Sequence, residues 1–382
     1  MKSLKVAVIG VGHLGRVHAK ALSKLPGVRL VGVVDINEQQ RQTVAEACRT
    51  NAFADHLAVA DKIDAAVIAT TTQHHHEVAL ALVQRGIPVL VEKPLAVNSR
   101  QAEELVRAAS GQNLVLQTGH IERFNPAVAP ALPFAKQPKW IEARRMSGFT
   151  CRATDVGVVL DLMIHDIDLA LAFTGERPSH VEAMGLSLFG KHEDVCQAQL
   201  RFPSGCLAQL TASRISFEAA RRMQVWSENG FASIDFASRS ATTVRPQDSV
   251  YDRELQIETA TSRERDDLKD RLFEKYLVKE TVTPEPADQI TAELVDFTTA
   301  IREGRAPLVD GKAGMAAIAV AEEILQSVAE HNWDGTASGR RGPQAEPLPA
   351  VLPGPHFALG TGERSPRASI VNRARPTDSD RS

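Results

Sequence analysis

The sequence predicts an α/β domain built on a doubly wound parallel sheet, followed by an α+β domain with a large, mostly antiparallel open sheet. Three observations predict this. The first 120 residues alternate short apolar runs with helical periodicity. A glycine cluster, Gly10-x-Gly12-x-x-Gly15, stands between the first apolar run and the first helical stretch. Beyond about residue 120, strand-like runs follow one another directly, separated by turn signals such as Pro203-Ser-Gly205 and Glu228-Asn-Gly230.

The elements follow in order. Lys5 to Ile9 is nearly all apolar, as a strand covered on both faces requires. His13 to Leu25 places Leu14, Val17, Ala21 and Leu25 on one helical stripe, and Pro26-Gly27 ends it. Val28 to Val34 is a second strand, closing at Asp35. Ala65 to Ala69 is another strand, followed by polar residues from Thr70 to His75. A helix from Glu77 to Arg85 stops at Gly86. Pro88 to Val91 is a strand that runs into Glu92-Lys93-Pro94. A helix from Ser99 to Ala109 and a strand from Leu114 to Thr118 complete the alternation. Strands are then expected at 140–146, 179–189, 195–202, 206–213, 223–227 and 232–236. A helix is expected at 161–173, and two more near 287–302 and 313–330. The segment 263–280 is dense in both charge signs and reads as a solvated helix or excursion. From about Thr336 the chain is rich in Pro, Gly, Ser and Arg without apolar periodicity, which predicts a disordered tail. The expected domains are therefore 1–120, 121–335 and a tail, 336–382.

Composition bounds the function. The 382 residues are 43% hydrophobic and 24% charged, as in a globular protein, with a net charge of -3. That balance argues against a general nucleic-acid or anionic-membrane binder. The four cysteines, Cys48, Cys151, Cys196 and Cys206, form no CxxC and no Cys/His pair at zinc spacing, so no disulfide framework or structural zinc is indicated. The apolar run near Met1 is too short for a signal peptide and meets glycines where cleavage would occur. No run approaches a membrane span. A cytoplasmic protein is expected.

The glycine cluster carries the cofactor argument. Gly10 permits a tight turn, Gly12 lets backbone approach a pyrophosphate, and Gly15 lets helix pack closely on strand. His13 and Leu14 lie at the helix start beside that phosphate position. Asp35 closes the second strand, where a carboxylate accepts both ribose hydroxyls and repels a 2'-phosphate. NAD is therefore expected over NADP. Thr70 and Thr71 fall at the carboxyl end of a parallel strand, where such sheets hold ligands. The triplet His74, His75, His76 reads as a cofactor-contacting loop and helix cap, with His75 nearest the cofactor, and not as a metal site, because adjacent residues in a turn diverge. No metal is expected.

The chemistry is expected from Lys93, Asp161 and His165. Pro94 restricts Lys93 to an extended backbone. Its ammonium, at the carboxyl edge of the sheet, can polarise a substrate hydroxyl. On a helix Asp161 and His165 share a face, so the acid is expected to orient the imidazole, which suits proton removal from an alcohol. Asp168 lies on the same face and suits either this site or a structural pair.

The glycine fingerprint, Glu92-Lys93-Pro94 and Asp161/His165/Asp168 together resemble the Gfo/Idh/MocA family of NAD(P)-dependent sugar oxidoreductases. The resemblance covers residues 1 to about 330. Two positions depart from it: Met163 replaces the usual glycine of the third motif, which narrows the space beside the helix on the substrate side, and Thr71 replaces a usual proline. The resemblance implies a Rossmann NAD-binding domain contacted by Glu92 and Lys93 as well as the glycine loop. It implies Lys93, Asp161 and His165 as catalytic and substrate-binding residues, and a homodimer or homotetramer formed through the open C-terminal sheet. Within the family, Gly119-His-Ile-Glu-Arg-Phe-Asn-Pro126 and Thr211-Ala-Ser-Arg214 are similar to a subgroup of UDP-N-acetylglucosamine 3-dehydrogenases, which serve lipid A synthesis. On that reading Arg123, Asn125 and Arg214 reach the substrate. Arg123, Arg152 or Arg214 suits a diphosphate and equally suits a structural ion pair. Two alternatives stand beside it: a dehydrogenase of a free polyol or monosaccharide, and a non-catalytic regulator on the same fold that senses NAD or a sugar.

Overall fold

The computed structural model describes residues 3–150, 156–254, 256–285, 288–333, 339 and 341–343. The N-terminal half is built as β1 (Leu4–Ile9), α1 (His13–Leu22), β2 (Val28–Val34), α2 (Glu38–Cys48), β3 (Asn51–Phe53), α3 (Leu57–Ala60), β4 (Ala65–Ile68), α4 (Thr72–Val83), β5 (Val89–Glu92), α5 (Ser99–Gly111) and β6 (Leu116–Gly119). The six strands form one parallel sheet in the order β3-β2-β1-β4-β5-β6. The strand order reverses between β1 and β4, which opens a crevice at their carboxyl ends. The strands are short, apolar and buried on both faces, as helical layers on both sides require.

Two 3-10 turns (Ile121–Phe124 and Pro126–Ala131) lead into β7 (Trp140–Met146). A π turn (Val159–Met163) opens α6 (Ile164–Thr174). Then come β8 (His180–Leu186), β9 (Val195–Arg201), β10 (Leu207–Ser213), β11 (Ala220–Ser227), β12 (Gly230–Asp235), β13 (Ser240–Pro246), α7 (Asp248–Tyr251), α8 (Ser262–Asp270) and β14 (Leu277–Val282). The eight strands pair in the order β14-β13-β12-β11-β7-β10-β9-β8, antiparallel except for β7 with β10. Ile141, Ala143, Leu210, Ala212, Met223 and Val225 alternate inward. Their neighbours Glu142, Arg144, Gln209, Thr211, Gln224 and Trp226 form an open face, as period-2 patterning demands. On that face Trp140 stacks on Trp226, with ring centroids 4.2 Å apart, and Phe231 lies against Trp226.

The chain then returns to the first sheet. Leu294 and Phe297 of α9 (Gln289–Glu303) pack with Val6, Val8, Leu22 and Leu90. Full burial of a side chain like Phe297 contributes about 1.5–3 kcal/mol. Along α10 (Gly311–Glu330), Ala317, Ile318, Ala321 and Ile324 join a core shared by both sheets. The Val309 carbonyl accepts from the Thr118 backbone N–H, fixing the start of α10 at the β6 edge.

The structure moves several expected boundaries. The helix after β4 starts at Thr72 and takes in all three histidines, because extended Thr71 stands at its N-cap with its hydroxyl against His74 Nδ1, 2.8 Å away. The charged segment is exposed along α8 but ends in β14, an edge strand beside β13. Within the expected tail, the described residues Gly342 and Pro343 make two contacts: Trp333 Nε1 donates to the Gly342 carbonyl, and the Ser187 N–H to that of Pro343. The remainder of the expected tail, with Cys151 and Arg152, lies outside the described residues. No helix among the described residues is long and apolar enough to cross a membrane.

Candidate active site

The crevice is lined by the ends of β1, β2, β4 and β5. Gly10 has φ +82°, and a Cβ there would lie 2.6 Å from the Thr70 nitrogen. Gly15 packs so tightly that a Cβ would strike the Gly10 carbonyl oxygen. Gly12 differs: a Cβ there would point into open space, with no protein atom within 4 Å. No side chain caps α1 and its first turn carries no acid, so its leading N–H groups remain available to an anion. Exposed His13 and Leu14 flank them. Asp35 accepts the Val11 N–H at 2.9 Å and the Asn37 N–H at 2.8 Å, one on each oxygen. Those bonds aim its carboxylate at the glycine loop and leave lone pairs for ribose hydroxyls. Beside it Ile36 is 94% exposed, an apolar surface suited to a base. The open cradle at Gly12, the uncapped helix and Asp35 together fit a dinucleotide.

Lys93 leaves β5 and crosses to the π turn. Its Nζ donates to the Asp161 carbonyl at 2.6 Å and to Asp161 Oδ1 at 3.0 Å. The π turn is set by distant contacts. Glu193 Oε1 accepts the Val159 N–H at 3.0 Å, and the Asp161 N–H bonds back to Gly157, which Glu193 crowds. Asp161 thus belongs to the turn and His165 to α6. The expectation that Asp161 orients His165 is corrected: the acid holds Lys93, and His165 Nδ1 is buried without a hydrogen-bond partner. Burial, reinforced by the nearby Lys93 ammonium, depresses the His165 imidazole well below the usual histidine range, so it is neutral and able to accept a proton.

A second imidazole was missed at the level of sequence. His120 follows β6, is buried, and stands edge-on to His165 with centroids 6.1 Å apart. Both of its ring nitrogens lack partners, and burial holds it neutral. The available signal was its place one residue beyond a parallel strand, at the carboxyl edge that carries Lys93.

Other expected site residues have internal roles. Arg123 grips buried Asp168 in a bidentate pair, at 2.6 and 3.0 Å. Asn125 is buried, donates to Glu122 and the Phe236 carbonyl, and caps the next turn through Ala127. Arg214 bonds Asp194 at 2.6 Å and the Val156 carbonyl at 2.9 Å. These contacts correct the expectation that Arg123, Asn125 and Arg214 face the substrate. His75 is likewise buried between the carbonyls of Pro94 and Thr70, and so braces two crevice loops where cofactor contact was expected. Its neighbours diverge, His74 to Thr71 and His76 to Glu104. Met163 is fully buried in the core and does not narrow the substrate side. Beneath the site Arg145 joins Asp166 and Glu122, all buried, and ties β7 to α6 and to the turn after β6.

A dinucleotide cradle beside a lysine, an acid and a neutral imidazole defines an NAD-dependent oxidoreductase of CH–OH groups, the class to which similar proteins belong. The chain belongs to the Gfo/Idh/MocA family: residues 4–120 match its NAD-binding Rossmann-fold oxidoreductase domain, and residues 133–233 its C-terminal domain. It is 34% identical to UDP-N-acetylglucosamine 3-dehydrogenase of Acidithiobacillus ferrooxidans over 333 residues, 86% of this chain and 98% of that protein. The solved structure of that enzyme superposes with a TM-score of 0.75 at 32% identity, over the same shares of the two chains. Inositol 2-dehydrogenase of Rhizobium meliloti is 26% identical over 86% of this chain and 98% of its own. Levoglucosan dehydrogenase, solved with NADH and levoglucosan, shares the fold, with a TM-score of 0.72 at 18% identity over 85% of this chain and 97% of its own.

Proposed function

We propose that this protein oxidises a secondary hydroxyl of a sugar nucleotide, the 3-hydroxyl of UDP-N-acetylglucosamine, to the 3-keto sugar. The observation that carries this reading is the Lys93–Asp161 pair beyond β5, with buried His165 close enough to feel the Lys93 charge. Similarity over nearly the whole length of a UDP-N-acetylglucosamine 3-dehydrogenase supports the substrate. His165, kept neutral, takes the hydroxyl proton. Lys93 donates to the same oxygen and stabilises its developing negative charge. Asp161 positions Lys93 through two oxygens. NAD, when bound, supplies the hydride acceptor; Gly10, Gly12, His13, Leu14, Gly15 and Asp35 hold it, with Thr70, Thr71 and Glu92 shaping the adjoining loops. The product suits amine transfer toward amide-linked lipid A in the cytoplasm. The open face around Trp140 and Trp226 suits self-association.

The test is NADH formation by the pure protein, followed by absorbance, on UDP-N-acetylglucosamine, inositols and free hexoses. A rise with the UDP-sugar is expected. Turnover of inositol alone selects the polyol reading, which the inositol dehydrogenase relatives support. NAD binding without turnover of any of them would indicate a sensor, a reading that the presence of both Lys93 and His165 disfavours.

A further inference from the structure

On the side of β5 facing α1 and α9, three buried titratable groups from three elements meet. His18 of α1 and Glu293 of α9 are fully buried, and Glu92 nearly so, at 0%, 0% and 8% exposure. One ligand-type atom from each lies within 4.8 Å of the others. His18 Nε2 donates to Glu92 Oε1 at 2.6 Å, and Glu92 Oε2 accepts the Lys93 backbone N–H at 3.2 Å. Neither carboxyl oxygen of Glu293 has a partner, nor does the nearby Gln117 Oε1, while Gln117 Nε2 donates to the Glu293 backbone carbonyl.

Two bare carboxylates this close in a dry interior repel strongly, and a proton or a cation must relieve them. Among the described residues the other cation that acts here is the Lys93 ammonium, whose charge is felt at Glu92, while the charges acting on Glu293 are those of Glu92 and Asp296. From α1 the other basic groups, Arg16 and Lys20, are exposed. From the turn after β6, Glu122 is paired with Arg145, and Arg123 with Asp168. From β6 comes only uncharged Gln117. From α9 itself comes Asp296, a further negative charge. The 2.6 Å His18–Glu92 contact is a direct hydrogen bond and leaves no room for an ion bridging those two atoms.

We propose that Glu293 carries a proton at neutral pH beside an ionised Glu92 that His18 holds, and that this buried triad is a positioning device for Lys93. The directions of ionisation agree. Burial drives Glu293 well above the usual carboxyl range, with the Glu92 charge adding to it. Burial also raises Glu92, but the His18 hydrogen bond and charge, with the Lys93 charge and backbone N–H, outweigh it and leave Glu92 ionised. The Lys93 peptide therefore rests against one stable carboxylate. Loss of the Glu293 proton at alkaline pH puts a second negative charge beneath that peptide.

The experiment is thermal melting of the full-length wild type and Glu293→Gln across pH. A raised native value means that the Glu293 contribution to stability is fully present below the ordinary carboxyl range and is lost as pH rises through the native value of Glu293. Glutamine cannot ionise, so the variant melts at or above wild type near neutrality. The ratio of their folding constants grows in its favour by about tenfold per pH unit over that window. If glutamine impairs folding, Glu293→Met reads the same difference. Identical pH profiles overturn the proposal. So does a wild-type melting temperature that falls on EDTA treatment, which assigns the cluster to a divalent cation. The melting arm uses no substrate and stands apart from the proposed function. A second arm rests on that reading: the alkaline limb of wild-type kcat/KM should move to higher pH in Glu293→Gln, and an unmoved limb removes the triad from the positioning of Lys93.

Discussion

Replacing Lys93 by methionine keeps most of the stem and removes the charge. In the structure Nζ lies 3.0 Å from Asp161 Oδ1 and 2.6 Å from the Asp161 carbonyl, in a side chain only 15% exposed. A donor so fixed and so poorly solvated acts on a developing alkoxide without reorganising. Removing one donor of that kind lowers kcat by about 10²–10³-fold, or about 2.7–4 kcal/mol of transition-state stabilisation. A second effect follows from His165. Burial is the first cause of its depressed basicity and the Lys93 ammonium the next. Without that ammonium the imidazole protonates more readily, so the acidic limb of the kcat/KM profile moves to higher pH. Initial rates of NADH formation across pH read both effects, with the melting temperature as a control on folding. Asp161 is 28% exposed and can be hydrated when its partner is lost. A variant within about threefold of wild-type kcat, with an unmoved acidic limb, would refute this account of Lys93.

Asp161→Asn keeps shape but weakens the charge-assisted bond to Lys93; kcat should fall by about tenfold or more in the same absorbance assay. Gly12→Ala places a methyl in the open cradle and meets no protein atom, so the melting temperature should hold while NAD affinity, read by fluorescence titration, drops. Gly15→Ala strikes the Gly10 carbonyl and should lower both. Arg123→Ala leaves buried Asp168 unpaired; denaturant unfolding should show a loss of about 3–5 kcal/mol, where a purely substrate-binding arginine would instead raise KM with stability intact.

The parts of the molecule legible in sequence are those written locally. Continuous apolar runs and the Gly10/Gly12/Gly15 spacing encode the parallel sheet and its crevice, and Lys93 at a strand end marks the edge where chemistry can occur. What stayed hidden depends on distant partners. The π turn comes from Glu193, more than 30 residues beyond Val159, so helical spacing wrongly set Asp161 on His165. Arg123, Asn125 and Arg214 carry the residue types of a phosphate site, yet Asp168, Phe236 and Asp194 claim them across the fold. β14 went unseen because an edge strand with polar, exposed residues lacks the apolar run that marks a buried strand, and β13 because its inward positions include Thr243 in a largely polar run.

The grip of Asp161 on Lys93 bears on stereochemistry. An ammonium offers three N–H groups. Asp161 takes two of them through its carbonyl and its carboxylate. One remains, and its direction is fixed by the other two. On the proposed mechanism the reacting oxygen arrives along that single line and gives its proton to neutral His165. A sugar with the opposite configuration at that carbon would aim its hydroxyl away from the line and its hydrogen toward it. The proposed mechanism thus places discrimination between epimers in how a lysine is restrained, before any contact to the rest of the sugar.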